Sequence, residues 1–170
     1  MKKLYDKIYP VEPYEEDNKI FQQTIRLQWV ELKHFIKTKN ILEIGAFIQN
    51  FNYFLKELDF EHSWIKKLFY VTKIFDLTKL FIEFNRLNNT NDLQPYLIFG
   101  LIQSQPLRLF SNLKFIELYI DESSSEFSLL KMLLKIGDLI SNINYSKLID
   151  VSKEEFIKKC NESASEPIEP

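Results

Sequence analysis

Residues that interrupt helices are scarce in this chain of 170 residues. It contains three glycines, and no proline lies between Pro13 and Pro95. Glycine and proline are the strongest local interruptions of regular structure, so long stretches without them favour helices. Apolar residues recur in these stretches at the intervals of three and four that mark one face of an α-helix, and no strand-like alternation competes with them. The sequence therefore predicts an all-α fold, a single layered helical bundle of about eight or nine helices.

The apolar spacing also locates the individual helices. We predict them over 1–8, 17–28, 43–58, 64–87, 92–103, 107–119, 125–143 and 151–160, with one further helical turn within 30–39. The segment 64–87 is apolar on nearly all faces, which is typical of a helix at the centre of a domain. Ser63 precedes the segment 64–87 and Ser152 stands at the start of 151–160, and both are good N-cap residues. We expect residues 1–160 to form one domain, and the polar, proline-containing stretch 161–170 to be a flexible tail.

Charge and composition exclude several classes of function. A net charge of −2 with a pI near 5.8 leaves no basic stripe for nucleic acid and no polybasic cluster for an anionic membrane surface. The longest apolar run, Tyr96 to Ile102, is far too short to span a bilayer. Cys160 is the only cysteine, which excludes an internal disulfide and suits a reducing, cytosolic setting.

The residues that carry enzyme chemistry do not form recognisable patterns. The three glycines stand apart from one another, so the chain has no phosphate-binding loop and no dinucleotide fingerprint. His34 and His62 are isolated, and with a single cysteine no zinc site of known spacing can be assembled. We interpret both histidines as packing or surface residues and Cys160 as a bystander. The sequence therefore predicts no metal site, no cofactor and no bond-breaking catalysis.

The most informative segment runs from Asn91 to Tyr119 and reads NDLQPYLIFGLIQSQPLRLFSNLKFIELY. An Asn-Asp pair opens an apolar helix with Pro95 in its first turn, and a Gln-Pro break leads to a Ser-Asn pair and a second amphipathic helix. Taken alone, Asn91 and Asp92 are good N-cap residues, and Pro95 fits a helix start. Taken together, the order and spacing of these elements resemble the signature of the vacuolar-protein-sorting-nine (Vps-nine) domain.

Three further segments carry the same resemblance. They are IRLQWV (25–30), the long apolar stretch 65–84 that begins near a lysine, and LISNINYSKLIDVSKEEF (139–156). The resemblance covers almost the whole chain, and it implies an all-helical domain that exchanges guanine nucleotide on a Rab-five-subfamily GTPase in endosomal vesicle trafficking. It also implies a cytoplasmic protein that acts at early endosomes, needs no cofactor of its own, and regulates a GTPase rather than being an enzyme.

Members of this family act by displacing the electrostatic anchor of the bound nucleotide. An apolar groove between two helices binds the switch regions of the GTPase, and an acidic finger pairs with the P-loop lysine and disfavours Mg²⁺. The resemblance places the finger at Asn91, followed by Asp92 and the helix-opening Pro95. The family also uses a Tyr and, three residues later, a Thr on a later helix. Those positions correspond to Ser128 and Lys131.

Asn91 keeps the shape of an aspartate but lacks its charge. A charge-assisted hydrogen bond contributes about 1.5–3 kcal/mol against about 1 kcal/mol for a neutral one, a difference of roughly two- to thirtyfold in rate. Asp92 could serve as the finger instead, but one step along a helix start turns the side chain by about 100°. Three interpretations stay open: an exchange factor with weakened activity, a degenerate fold that binds a Rab or another partner as an adaptor without exchange, and a helical interaction domain that shares only its helix pattern with the family.

Overall fold

The computed structural model of the protein describes residues 14–37, 41–87 and 92–165. These residues contain seven α-helices and two 3-10 turns. The helices are α1 (Glu15–Arg26), α2 (Ile44–Phe60), α3 (Trp64–Phe84), α4 (Gln94–Ser104), α5 (Leu109–Glu117), α6 (Ser125–Ser141) and α7 (Lys153–Ser165). The 3-10 turns are Leu32–His34 and Tyr145–Lys147. No strand occurs in this part of the chain, so the all-α prediction is confirmed, with a helix number close to the predicted one. None of these helices is both long enough and apolar enough to cross a bilayer.

Most predicted helix boundaries agree with the structure to within a few residues. The last helix runs on to Ser165, so the first part of the predicted tail is helical, whereas the helix predicted over 1–8 lies outside the described residues. Ser152 caps α7 as predicted, since its Oγ accepts a hydrogen bond from Glu155 N at 3.1 Å. Ser63 occupies the N-cap position of α3, but its side chain makes no capping hydrogen bond.

The centre of the domain is α4. All seven residues from Tyr96 to Ile102 are buried, and α4 contacts α1, α2, α3 and α6. A helix with apolar residues on every side is stable only when other helices surround it. Gly100 allows the closest of these approaches, because a Cβ atom placed there would lie 2.5 Å from Cε2 of Phe51 on α2. The missing side chain of Gly100 is therefore what lets α2 pack against α4.

The long helix α3 differs from its sequence-based interpretation. Its inner face is buried and includes Val71, Ile74 and Phe75. The opposite face leaves four large apolar side chains more than half exposed; they are Ile65, Phe69, Leu80 and Phe84. The prediction that this segment is the central helix is therefore wrong. Periodicity shows how apolar residues are distributed around a helix, but it does not show which faces of that helix the neighbouring helices cover.

Replacing Gly100 by alanine should destabilise the protein. The added methyl group would overlap the Phe51 ring inside a packed core, and overpacking of this kind costs about 1–3 kcal/mol. Gly45→Ala is the matched control, because nothing lies within 4 Å of a Cβ atom there and alanine favours a helix by up to about 1 kcal/mol. We expect a lower urea midpoint for Gly100→Ala and an equal or higher one for Gly45→Ala. Equal midpoints for both variants would contradict the close packing of α2 on α4.

Candidate functional site

The first residues assigned to nucleotide exchange lie where α4 begins. Asn91 is outside the described residues. Asp92 is exposed, and its Oδ1 accepts a hydrogen bond from Gln94 N at 3.2 Å, as in an Asx-type turn. Pro95 is half-buried in the first turn of α4, where a proline fits. Burial raises the pKa of the Tyr96 hydroxyl, and the charge of Asp92 raises it further. Asp92 thus combines a local capping role with an accessible carboxylate.

The other two assigned residues lie on α6. Ser124 caps this helix, since its Oγ accepts a hydrogen bond from Phe127 N at 3.3 Å. Ser128 and Lys131 are both exposed, and their spacing of three places them on the same side of the helix. The hydroxyl of Ser128 donates to the carbonyl oxygen of Ser125 at 2.6 Å. Where the family has a tyrosine, this chain therefore has a small hydroxyl bonded to its own helix.

Lys131 is oriented by a charge on a neighbouring helix. Its Nζ lies 2.7 Å from Oε1 of Glu117 on α5 and 5.3 Å from the centre of the Phe127 ring. Glu117 also pairs with Lys114 at 2.7 Å, and hydrogen bonds from Lys114 and Lys131 lower the pKa of Glu117. Exposed ion pairs contribute only about 0–1 kcal/mol, so this contact orients Lys131 without fixing it.

Asp92 lies just before α4 and Pro95 lies on it, whereas Ser128 and Lys131 lie on α6, which packs against α4. Among the described residues, the polar contacts of Asp92 stay within the first turn of α4, and those of Ser128 and Lys131 stay within α5 and α6. Five apolar residues of α4 and α5 are buried in the core rather than open to a groove; they are Leu97, Phe99, Leu101, Leu113 and Phe115. The carboxylate of Asp92, the hydroxyl of Ser128 and the ammonium group of Lys131 are exposed, so a partner protein can contact them.

A buried carboxylate joins α1 to α5. Asp17, in the first turn of α1, is fully buried. Both of its oxygens accept from Ser111 N at 3.2 Å, and Oδ2 also accepts from Tyr14 N at 3.1 Å and from the Ser111 hydroxyl. The first turn of a helix has backbone N–H groups without partners inside the helix. One side chain therefore satisfies backbone donors at the starts of two helices that are far apart in sequence.

A buried ammonium group joins α2, α3 and α5. Lys67 on α3 is fully buried, and its Nζ donates to Oδ1 of Asn112 at 2.5 Å and to the carbonyl oxygen of Leu58 at 2.6 Å. The amide nitrogen of Asn112 in turn donates to Oδ1 of Asp59 at 2.6 Å. Burial lowers the pKa of Lys67 to about 8, although the negative charge of Asp59 acts in the opposite direction and raises it. Burial raises the pKa of Asp59.

These buried contacts give the Ser-Asn pair of the sequence a structural role that sequence reasoning missed. Ser111 and Asn112 are 1% and 0% exposed, and they bond to the buried charged groups of α1 and α3. A signal for Lys67 was present in the sequence, because Val71 follows it by four residues on the buried face of α3. A lysine on such a face requires hydrogen-bonding partners in the core.

A cavity of about 560 Å³ lies apart from all of these residues. Its lining includes Lys33, His34, Lys37, Asp150, Glu155 and Lys159. Two of these lysines pair with neighbouring acids, Lys33 with Glu31 at 2.7 Å and Lys159 with Glu155 at 3.2 Å. Nδ1 of His34 accepts from Glu31 N at 3.0 Å, and burial lowers the pKa of this imidazole. His34 is therefore a packed residue, as predicted, and the paired charges around it give no reason to place a ligand in the cavity.

The single cysteine, Cys160, is buried within α7. Burial raises the pKa of its thiol, whereas reactive cysteines have a lowered pKa. This environment is that of a packing residue. Within the described ranges, no group of three His, Cys, Asp or Glu side chains is placed to hold a metal ion.

Neither a protein-family model nor a curated protein matches the sequence. The resemblance to the Vps-nine domain therefore stays a prediction that rests on the segments quoted above. The structure contributes the all-helical fold and the positions of the assigned residues from Asp92 onwards.

Removing the carboxylate of Asp17 should destabilise the protein strongly. Asp17→Ala leaves the buried Ser111 N–H without its acceptor and removes the cap of α1, which together cost about 2–4 kcal/mol. Glu16→Ala is the control, because Glu16 lies in the same turn but is exposed. Urea unfolding should show a large loss for the first variant and a change within about 0.5 kcal/mol for the second. Similar losses in both would mean that the buried bonds to α5 contribute little.

The burial of Lys67 should make stability depend on pH above neutrality. The pKa of Lys67 falls from its ordinary 10.5 to about 8 on folding, so the unfolded chain holds this proton more tightly. The free energy of unfolding due to Lys67 therefore rises as pH increases from about 8 to about 10.5. Relative to Lys67→Met, the wild-type protein should gain about 3 kcal/mol across this window, since one pKa unit corresponds to about 1.4 kcal/mol. Tyrosine and cysteine ionisation is common to both proteins and cancels, so a constant difference would contradict the prediction.

Proposed function

We propose that this chain is a Vps-nine-type guanine nucleotide exchange factor for a Rab-five-subfamily GTPase, with activity weakened by Asn91. The observation that supports this best is the position of the assigned residues on two helices that pack together. Asp92 precedes the start of α4, and Ser128 and Lys131 lie on the adjoining α6. All three side chains are exposed, so a partner protein can reach them. The proposed place of action is the cytoplasmic face of early endosomes, where this family works.

The proposed mechanism is electrostatic and involves no covalent step. The GTPase docks its switch regions beside α4 and α6, and the side chain at position 91 approaches the P-loop lysine and competes with Mg²⁺ and phosphate. The amide oxygen of Asn91 can accept a hydrogen bond from that lysine, but it carries only a partial charge. Its interaction is weaker than that of a carboxylate, and nucleotide release is accelerated correspondingly less.

A second candidate function is a GTPase-binding adaptor without exchange activity. Two departures from the family pattern favour it. The finger position, Asn91, is uncharged, and the hydroxyl of Ser128 is bonded to Ser125 rather than standing in for a tyrosine ring. The exposed residues just before α4 and on α6 would then bind a GTPase without displacing its nucleotide.

Two measurements on the full chain separate these functions. The first is the release of a fluorescent GDP analogue from a purified Rab-five-subfamily GTPase, and the second is a binding titration with the nucleotide-free GTPase. An exchange factor accelerates release, and an adaptor binds without accelerating it. A protein that does neither is a helical interaction domain, and the proposed function would then be rejected.

Restoring the acid at the finger position should increase exchange. Asn91→Asp adds the full charge, and we expect release to become roughly two- to thirtyfold faster. Asn18→Asp, an exposed site on α1, controls for the added charge and should have no effect. Asp92→Ala should leave the rate unchanged, because the resemblance assigns the finger to Asn91 and the carboxylate of Asp92 accepts a hydrogen bond from Gln94 N. Loss of activity in Asp92→Ala with no gain in Asn91→Asp would transfer the finger role to Asp92.

A further inference from the structure

The outer face of α3 presents large apolar side chains that no described helix covers. Ile65, Phe69, Leu80 and Phe84 are 60%, 52%, 62% and 59% exposed. At a rise of 1.5 Å per residue they span about 28 Å, and at 100° per residue all four fall on one side of the helix. We name these four residues, with Lys73 and Asp76 between them, the outer stripe. Contiguous exposed apolar surface of this kind usually marks an interaction site.

The outer stripe has the same pattern when it is followed from either end. The pairs that lie at equal distances from the middle of the stripe are Ile65 with Phe84, Phe69 with Leu80, and Lys73 with Asp76. When a second α3 is laid against the first in the opposite direction, each apolar residue therefore comes level with an apolar residue, and each charge with its opposite.

The charges at the centre select this antiparallel arrangement. In one molecule Nζ of Lys73 lies 3.6 Å from Oδ2 of Asp76 and 5.2 Å from the centre of the Phe69 ring, and this exposed pair is worth little by itself. In an antiparallel pair, two lysines and two aspartates meet around the two-fold axis and their charges cancel. In a parallel pair, Lys73 would face Lys73 and Asp76 would face Asp76, which is repulsive.

A shallow groove at one end of the stripe provides room for the opposing helix. It has a volume of about 230 Å³ and lies between α2 and α3, where Leu77, Leu80 and Phe84 form one wall and Ala46 and Phe47 form the other. This lining is almost entirely apolar. In the antiparallel arrangement, Ile65 of the second copy comes level with Phe84, so a branched apolar side chain is available to enter the groove.

We propose that the outer stripe binds a second copy of this chain, giving an antiparallel two-fold pair of α3 helices. Such an interface is isologous, because the same patch on both copies meets itself. The self-complementary order of apolar and charged residues is the observation that identifies the occupant. The stripe lies on α3 and does not include the residues assigned to the GTPase, so the two proposals stand independently.

Sedimentation equilibrium of the full chain over a range of concentrations tests the pair directly. We expect the apparent mass to rise with concentration from 20.4 kDa towards twice that value. Leu80→Glu should weaken association at least tenfold by placing two carboxylates in the apolar seam. Leu118→Glu is the matched control, because Leu118 is similarly exposed at 65% but lies beyond the end of α5. Association that is unaffected by Leu80→Glu, or equally weakened by both substitutions, would overturn the proposal.

Disulfide trapping tests the direction of the pairing. A mixture of Phe69→Cys and Leu80→Cys should form a mixed disulfide quickly, because these positions are level in the antiparallel pair. Each variant alone should crosslink at least tenfold more slowly, because its two cysteines lie about 16 Å apart along the helices, far beyond disulfide reach. Cys160 is 1% exposed and does not compete. Faster crosslinking of either variant alone than of the mixture would reject the antiparallel arrangement.

Charge reversal supplies a rescue experiment that a folding defect cannot imitate. Lys73→Glu gathers four acids at the centre and should weaken association, whereas Lys73→Glu combined with Asp76→Lys should restore it. A double variant as weak as the single one would count against the pairing. If the wild-type chain stays at 20.4 kDa at every concentration while Leu80→Glu lowers binding of the GTPase, the outer stripe belongs to the GTPase-binding face and the proposal is wrong.

Discussion

The ammonium group of Lys67 cannot be buried without partners, and this requirement fixes how three helices meet. Its bonds to Leu58 and Asn112 hold the last turn of α2 and the middle of α5 against α3, and Asn112 carries the connection on to Asp59. The neighbouring residue of α5, Ser111, is held by the buried carboxylate of α1 in the same way. A buried polar network is favourable only when every polar group in it has a hydrogen-bonding partner. These hydrogen bonds can therefore form in only one register of the helices. The short helix α5 owes its position to two adjacent polar residues as well as to its apolar ones.

The helices were predictable because a local signal determines them, whereas their arrangement depends on residues that are distant in sequence. Apolar spacing placed every described helix close to its true position. It could not distinguish α4 from α3 as the central helix, because both are apolar on most faces. Each contacts four other helices, and the difference is that α3 leaves its outer face uncovered. The bond between Asp17 and Ser111 joins positions 94 residues apart, and no local pattern connects them. Gly100 likewise lets α2 approach α4 closely, but this role can be recognised only when the fold places Phe51 opposite it.

The sequence identified which positions belong to the candidate site, but not the contacts that surround their side chains. The resemblance named Asp92 and Pro95, and local capping rules already explain why such residues stand at a helix start. The environment of Lys131 depends on the packing of α5 against α6, which brings Glu117 to it, and neither spacing nor resemblance contains that contact. The Ser-Asn pair shows the converse. Its residues strengthen the resemblance, but their chemistry lies in the core, so they support the fold more directly than the activity.

The residues that we propose to meet a GTPase and the outer stripe approach each other at the C-terminal end of α3. The ring of Phe81 there lies 6.3 Å from the ring of Tyr96 in the first turn of α4, close to Asp92. In a parallel pair of chains, two such ends would lie side by side and two GTPases would compete for the same space. In the antiparallel pair, the two ends lie about 28 Å apart along the interface, because Phe84 of each copy is at the opposite end of the stripe. The self-association that we propose through α3 is therefore compatible with the nucleotide exchange that we propose at the start of α4 in the antiparallel orientation, which the charges at the centre of the stripe favour.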